Sequence, residues 1–275
     1  QYTLVRIYLF VLGHYRGRLA ATSQRQSNND QPDFTDVAVL TVYLFGLFKK
    51  RETVSDIHEY MEDHFSGWFP DLPSYQSYNR RLNRLKAVFS PLVEKALEEI
   101  DGEGARKNIL RIADSMPIMM AKGQRASQAT VASERIPDVG YCSSKDTFYH
   151  GVKLHVIAGK RSDKHPLLDR AGMTPGSKND LQALRRVLPA IEGGVLCGDK
   201  AYCDGPLKER LAEDQNLDLL TPVKKKKGQK TLPAADKLYS EAVSRLRQPI
   251  ESLFSWIDEK TGIQHASKVR SYRGL

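Results

Sequence analysis

Apolar side chains recur every three or four residues through the first hundred positions, which is the spacing of one helix face. Helices are predicted over residues 2–19, from 35 or 36 to 48, from 53 to 65, from 74 to 89 and over 91–100. The second is expected to bury Val37, Leu40, Leu44, Leu47 and Phe48, and the fourth Tyr75, Tyr78, Leu82, Leu85 and Phe89. With a polar linker at 23–33, residues 1–104 are predicted to form an all-helical N-terminal domain.

After residue 104 the period changes to the alternation of strands. Strands are predicted at 108–113, within 148–158, at 166–171, at 193–198 and at 217–223, with helices at about 177–191, 206–211 and 237–258. This order, β-β-β-α-β-α-β-α, is typical of an RNase H-like sheet, in which an antiparallel hairpin precedes strands joined by helical crossovers. Residues 105–275 are therefore predicted to be an α/β domain, with a mixed sheet flanked by helices.

The composition favours a soluble protein with a polyanionic partner. The 275 residues carry a net charge of +9, and nucleic acid is the simplest partner for such a balance. No apolar run is long enough to span a membrane. Three cysteines without paired spacing indicate reduced thiols in a cytoplasmic protein. A start at Gln1 and an end without a closing element predict a fragment truncated at its C-terminus.

The fourth predicted helix carries Arg80, Arg81 and Arg84 away from its apolar stripe. A basic helix that follows another helix after a short break is typical of helix-turn-helix DNA contact. The same spacing also fits a plain amphipathic helix with a solvated basic face. Both interpretations remain open at this point.

Three acids occupy positions from which they can converge. Asp114 follows the first predicted strand, Asp199 follows the fourth, and Glu251 lies on the last helix. Ligand sites of open α/β sheets lie at the carboxyl ends of strands. Converging carboxylates repel one another unless cations neutralise them, so the set predicts a site for two Mg²⁺ or Mn²⁺ ions that activates a nucleophile on a phosphodiester.

Five blocks of sequence resemble bacterial insertion-sequence transposases of the DDE type. They are Asp114-Ser115-Met116-Pro117, Tyr149-His150-Gly151-Val152-Lys153-Leu154-His155, Thr174-Pro175-Gly176-Ser177, Gly198-Asp199-Lys200-Ala201-Tyr202 and Arg247-Gln248-Pro249-Ile250-Glu251. The resemblance implies an RNase H-like core that uses Asp114, Asp199 and Glu251 to cut double-stranded DNA at terminal inverted repeats and to join the ends to target DNA. It also implies a homodimer on DNA and a cytoplasmic, nucleoid-associated protein.

The chain departs from related transposases at two positions. Ser244 stands where many have a Tyr, and Asp258 where many have a Lys, with Lys260 two residues further on. Two alternatives to transposition remain. One is a nuclease with the same core but without strand transfer. The other is a transposase-derived DNA-binding protein that is no longer catalytic.

Several basic and aromatic residues near the acids are candidates for DNA contact: Lys200, Tyr202, Arg247 and Lys153. Lys200 and Tyr202 are expected to hold the phosphate beside the scissile bond, although Lys200 also fits a solvated side chain. Arg247 is expected to pair with Glu251 or with phosphate, and His155 to be a structural histidine. The loop at 224–230 carries five lysines and is expected to be solvated, with non-specific phosphate contacts if DNA binds.

Overall fold

The computed structural model describes residues 1–22, 32–101, 110–129, 136–162, 164–187 and 191–264. Within this part, residues 1–100 with 257–262 form one compact unit, and the remaining residues form a second. The predicted linker at 23–33 lies mostly outside the described residues. Four other parts of the predictions lie wholly outside the described residues: the boundary at 102–104, the first two residues of the strand at 108–113, Leu188, and the last eleven residues of the chain.

The first unit is helical. Its helices are α1 (Tyr2–His14), α2 (Ala20–Thr22), α3 (Asp36–Phe48), α4 (Val54–Phe65), α5 (Tyr75–Arg84) and α6 (Lys86–Asp101), and a π-helical turn at Tyr15–Leu19 joins the first two. Thr35 and Thr53 begin α3 and α4 as predicted, because each hydroxyl accepts a hydrogen bond from the backbone N–H three residues later.

Helix α3 is buried over most of its surface, which the predicted single stripe does not anticipate. It packs against α1, α4 and α5 and buries Val39, Val42 and Phe45 outside that stripe. The prediction that Phe48 is buried is wrong, since it lies on the last turn and is 55% exposed. Tyr75 at the start of α5 is also exposed rather than buried. A helix surrounded by neighbours shows no single apolar face, so its periodicity misidentifies the contacts at its ends.

The second unit contains a mixed sheet. Its strands are β1 (Leu110–Lys122), β2 (Asp138–Cys142), β3 (Thr147–Gly159), β4 (Leu167–Pro175), β5 (Gly194–Cys197) and β6 (Leu217–Leu220). The order is β2-β3-β1-β5-β6, and β4 also pairs with β3. Pairings within β1–β4 are antiparallel, whereas β1 pairs with β5 and β5 with β6 in parallel. The α/β class with a mixed sheet is confirmed.

The strands differ from the predicted ones in number and length. Strand β2 was not predicted, because a five-residue strand gives too few alternations to be read from the sequence. The prediction that Asp114 follows the first strand is wrong, because β1 continues to Lys122 by pairing with β3. The parallel pairing of β1 with β5, however, ends at the pair Ile112–Cys197. Asp114 therefore lies inside its strand but at the place where the neighbouring strand stops.

The described helices that follow β4 are α7 (Asp180–Val187), α8 (Gly205–Gln215), α9 (Ala234–Arg247) and α10 (Pro249–Thr261), and the residues of α10 from Ile257 onward belong to the first unit. The single last helix predicted at 237–258 is therefore two, with the break at Gln248 before Pro249. Leu184 of α7 and Leu207 of α8 share a buried cluster with Ala113 of β1. Arg247 of α9 contacts Asp114. Because adjacent strand residues point to opposite faces, α9 lies across the sheet from α7 and α8.

Candidate functional site

The parallel pairing of β1 and β5 brings Asp114 and Asp199 to the same place. Ile112 is the register partner of Cys197, and each aspartate comes two residues later in its own chain segment. Side chains two residues apart on a strand point to one face, so the carboxylate of Asp114 projects to the same side as Ile112, where it contacts Arg247 of α9. The electrostatic effect of Asp199 on the pKa of Asp114 is consistent with this placement.

Asp199 is held by a tight turn that follows β5. Its Oδ1 accepts a hydrogen bond of 2.8 Å from the backbone N–H of Ala201 and so begins the 3₁₀ turn Lys200–Tyr202. Gly198 is required by the same turn, because a Cβ there would lie 2.7 Å from Cδ2 of Tyr202. A carboxylate has two oxygens, so Asp199 can cap the turn with one and bind a ligand with the other.

Tyr202 anchors this turn in the core. It is only 2% exposed and belongs to the cluster formed with α7 and α8. Burial raises the pKa of its phenol, and the nearby carboxylates of Asp180, Asp114 and Asp199 raise it further. Lys200, between Asp199 and Tyr202, is exposed to solvent instead. The structure thus separates two residues that were both predicted to hold phosphate: Tyr202 supports the turn, and Lys200 is accessible.

Asp114 carries a carboxylate that the fold destabilises. Its pKa is raised to about 6, chiefly by burial and also by the carboxylates of Asp199 and Asp180. The guanidinium of Arg247 and the backbone N–H of Ser115 act in the opposite direction. Arg247 donates from Nη1 to Oδ2 of Asp114, and the Ser115 N–H donates to Oδ1 at 2.8 Å. One arginine therefore compensates only part of the cost of this negative charge.

Arg247 links Glu251 to Asp114. Its Oε1 lies 3.9 Å from Nη2 of Arg247, and its side chain is 64% exposed at the start of α10. In the part of the chain that the structure describes, no three His, Cys, Asp or Glu side chains lie close enough to hold one metal ion. The structure therefore brings Asp114 and Asp199 together and places Glu251 beyond the arginine that joins it to Asp114.

The chemistry of the donors fits a hard divalent cation. Mg²⁺ typically binds proteins through one or two carboxylates and completes its shell with water and substrate phosphate. Asp114 and Asp199 supply two carboxylates, and burial, which raises the pKa of Asp114, makes its negative charge costly unless a further cation binds. Glu251 can add a third carboxylate if Arg247 moves.

Lys153 lies on the face opposite Asp114. Its Nζ donates to Oδ1 of Asp180, on the first turn of α7, at 3.1 Å. Nδ1 of His155 lies 4.0 Å from the same oxygen, and its Nε2 is hydrogen-bonded to Thr174. Lys153 is thus engaged within the fold, and His155 has the structural surroundings that were expected.

Asp180 is the residue near the site whose electrostatic effect was missed. The sequence marks it only as a possible helix cap, yet its charge influences Asp114 and Tyr202. A signal did exist, since Lys153 lies on a largely buried strand face, where an ammonium group requires a neutralising partner.

The arginines of the basic helix α5 have two different environments. Arg81 donates to Asp36 at 3.0 Å, and its guanidinium carbon lies 5.8 Å from the ring centre of Phe34. Arg80 and Arg84 are exposed. Arg81 therefore joins α5 to the start of α3, whereas Arg80 and Arg84 are accessible.

The sequence was compared with family models, with curated proteins and with solved structures. A family model described as the transposase DDE domain matches residues 104–271, which is more than half of the chain. No match is found among curated proteins or among solved structures. None of the described helices is long and apolar enough to cross a membrane. The chain belongs to the DDE transposase family.

Proposed function

We propose that this protein is an insertion-sequence transposase that cuts double-stranded DNA at the ends of its element and joins the freed 3′ ends to target DNA. The observation that carries the proposal is the convergence of Asp114 and Asp199 at the point where β5 ends. The family membership and the net charge of +9 point to the same substrate.

The strand order supports an RNase H-like core. When β4 is taken in place of β2 as the neighbour of β3, the strand order is β4-β3-β1-β5-β6. Pairing is antiparallel on one side of β1 and parallel on the other. Strand β2 extends the edge of β3 that β4 also uses. This is the hairpin-then-crossover order that the sequence predicts for such a core. The helical unit would then present α5 to DNA through Arg80 and Arg84.

Each residue of the site has a proposed task. Asp114 and Asp199 hold divalent cations, Mg²⁺ or Mn²⁺, which when bound supply an activated nucleophile and stabilise the leaving oxygen. Glu251 completes the ligand set. Arg247 pairs with Asp114 in the free protein and turns to the scissile phosphate when DNA binds. Tyr202 and Gly198 fix the position of Asp199, and Lys200 contacts phosphate.

The test is the Asp199→Asn variant. Because it removes a negative ligand and keeps the shape of the turn, we expect cleavage of a plasmid that carries the coding region with its flanking DNA to fall by about 10²–10⁴-fold. DNA affinity and the melting temperature should change little. Asp218→Asn, on β6, is the matched control and should cleave normally. Normal cleavage by Asp199→Asn would overturn the proposed site.

Strand transfer separates this function from its alternatives. A transposase should yield products in which the cut donor end is covalently joined to a second plasmid. A nuclease without transfer would give cut ends only. A protein that is no longer catalytic would bind DNA and cut nothing in either Mg²⁺ or Mn²⁺.

A further inference from the structure

A groove lies between α9 and the segment that follows β6. It has a volume of about 330 Å³, and its cationic lining residues are Lys200, Lys237 and Arg245. Ser240 and Ser244 add hydroxyl groups, and Pro222 and Leu232 contribute apolar surface. Lys200 directly follows Asp199 in the sequence, so one end of the groove begins beside the carboxylate site.

The cations of the groove differ from most others near the sheet. Within the described residues, Lys200, Lys237 and Arg245 form no ion pair, and all three are exposed. In contrast, Lys153 is paired with Asp180, Arg111 with Asp169 and Arg247 with Asp114. The groove contains one acid, Glu241. It therefore keeps a net positive charge that the fold itself does not use.

The basic loop extends this positive surface. Nζ of Lys224 lies 3.5 Å from the carbonyl oxygen of Cys203, just after the turn that carries Lys200. The loop then continues with Lys225, Lys226 and Lys227, all exposed. On α9, Lys237 and Arg245 are eight residues apart, so they lie about two helical turns from each other on the same side. The cations thus form a strip rather than a single point.

We propose that this groove binds the phosphodiester backbone of the DNA strand that enters the carboxylate site, with Lys237 and Arg245 as its phosphate contacts. The inference rests on the proposed function and names residues that the site itself does not include. Charge complementarity selects the occupant, because a strip of unpaired cations that begins beside a carboxylate site matches a linear polyanion. The hydroxyls of Ser240 and Ser244 donate to carbonyl oxygens of their own helix. The unused donors of the groove are therefore the ammonium and guanidinium groups, which favour contact with backbone phosphates.

The experiment compares the Lys237→Gln/Arg245→Gln variant with the wild type on a mixed-sequence DNA duplex and on its single strand. Each phosphate contact that is lost should lower the slope of log affinity against log salt by about 1, so the variant should lose about 2. The melting temperature should stay the same, because both side chains are exposed on a helix. The control is Arg186→Gln/Lys208→Gln, which removes two exposed cations from α7 and α8 and should leave the slope nearly unchanged.

The outcomes distinguish this inference from the proposed function. A loss of about 2 in the slope for the groove variant alone, with metal-dependent cutting retained at low salt, supports the groove as the backbone path. A larger loss of slope on the single strand than on the duplex also supports the groove, and it indicates that the bound DNA strand is separated from its complement. Equal losses for the groove variant and its control would overturn the groove while leaving the transposase proposal intact. If the wild type binds no DNA, both the proposed function and the groove inference that depends on it are overturned.

Discussion

The two faces of the sheet use charge differently. On the face covered by α7 and α8, cations meet carboxylates within the fold, as in the pairs Lys153–Asp180 and Arg185–Asp204. On the face of α9, Asp114 and Asp199 approach each other with one arginine between Asp114 and Glu251. Paired charges on the first face stabilise the protein. On the second face, the carboxylates of Asp114 and Asp199 and the cations of the groove are not fully paired within the fold. The proposed function assigns the carboxylates to bound cations and the groove cations to DNA.

This contrast explains why the predicted DNA contacts divide as they do. Lys153 and Arg81 were candidates because they are basic, but each is partnered by an acid of its own unit. Lys200 was a candidate for the same reason and remains exposed. Residue type alone does not distinguish a structural cation from one that is available to substrate. For Lys153, Arg81 and Lys200, the position of the nearest carboxylate does.

The largest expected effect comes from Glu251→Gln. We expect cleavage to fall by about 10²–10⁴-fold, because the third carboxylate is needed when DNA and cations are bound. Mn²⁺ affinity without DNA should change little, since Glu251 is exposed and lies beyond Arg247. Cleavage assays and Mn²⁺ titrations on the same preparations check both parts. Glu209→Gln on α8 is the control, and unchanged cleavage by Glu251→Gln would remove this residue from the site.

A second effect concerns the stability of the free protein. The raised pKa of Asp114 means that ionisation destabilises the folded state, so stability should decline as pH rises from about 3.8 to about 6. Asp114→Asn should remove that decline and raise the free energy of unfolding at neutral pH by about 1–3 kcal/mol in the absence of metal. Urea unfolding across this pH range measures it. A variant less stable than the wild type at neutral pH would show that the Arg247 pair outweighs burial.

The smallest effect is expected on the opposite face. Lys153→Met leaves the half-buried Asp180 without its lysine, so stability should fall by about 1–2 kcal/mol. The salt dependence of DNA binding should not change, because this lysine already has a partner. Lys208→Met, an exposed position on α8, should alter neither quantity. If Lys153→Met lowered the salt slope as much as the groove variant does, the contrast between the faces would be contradicted.

Much of the second unit could be predicted from its sequence, because strand alternation and crossover helices are local signals. The α/β class and the resemblance to DDE transposases are confirmed. The turn at Asp199 was expected at a strand end and lies there. The extent of β1 could not be predicted, since its continuation to Lys122 depends on a partner strand about forty residues later. A stretch of a few residues does not reveal which distant strand it pairs with.

The site was harder to predict than the sheet. The meeting of Asp114 and Asp199 follows from strand order, which the order of the predicted strands and helices implies. The pairing of Arg247 with Glu251 was expected, and the two side chains lie 3.9 Å apart. The contact of Arg247 with Asp114 could not be predicted, because it depends on where α9 ends relative to β1. Asp180 escaped notice because its effect on Asp114 acts through space. The catalytic assignment of the three acids remains a prediction.

The central claim is that Asp114 and Asp199 together form a divalent cation site before DNA binds. The most direct test is a Mn²⁺ titration of the DNA-free protein, followed by the electron paramagnetic resonance of unbound Mn²⁺. We predict that the wild type binds Mn²⁺ and that Asp114→Asn and Asp199→Asn each lose that binding, while Asp218→Asn retains it. Equal Mn²⁺ binding by the wild type and both site variants would contradict the claim.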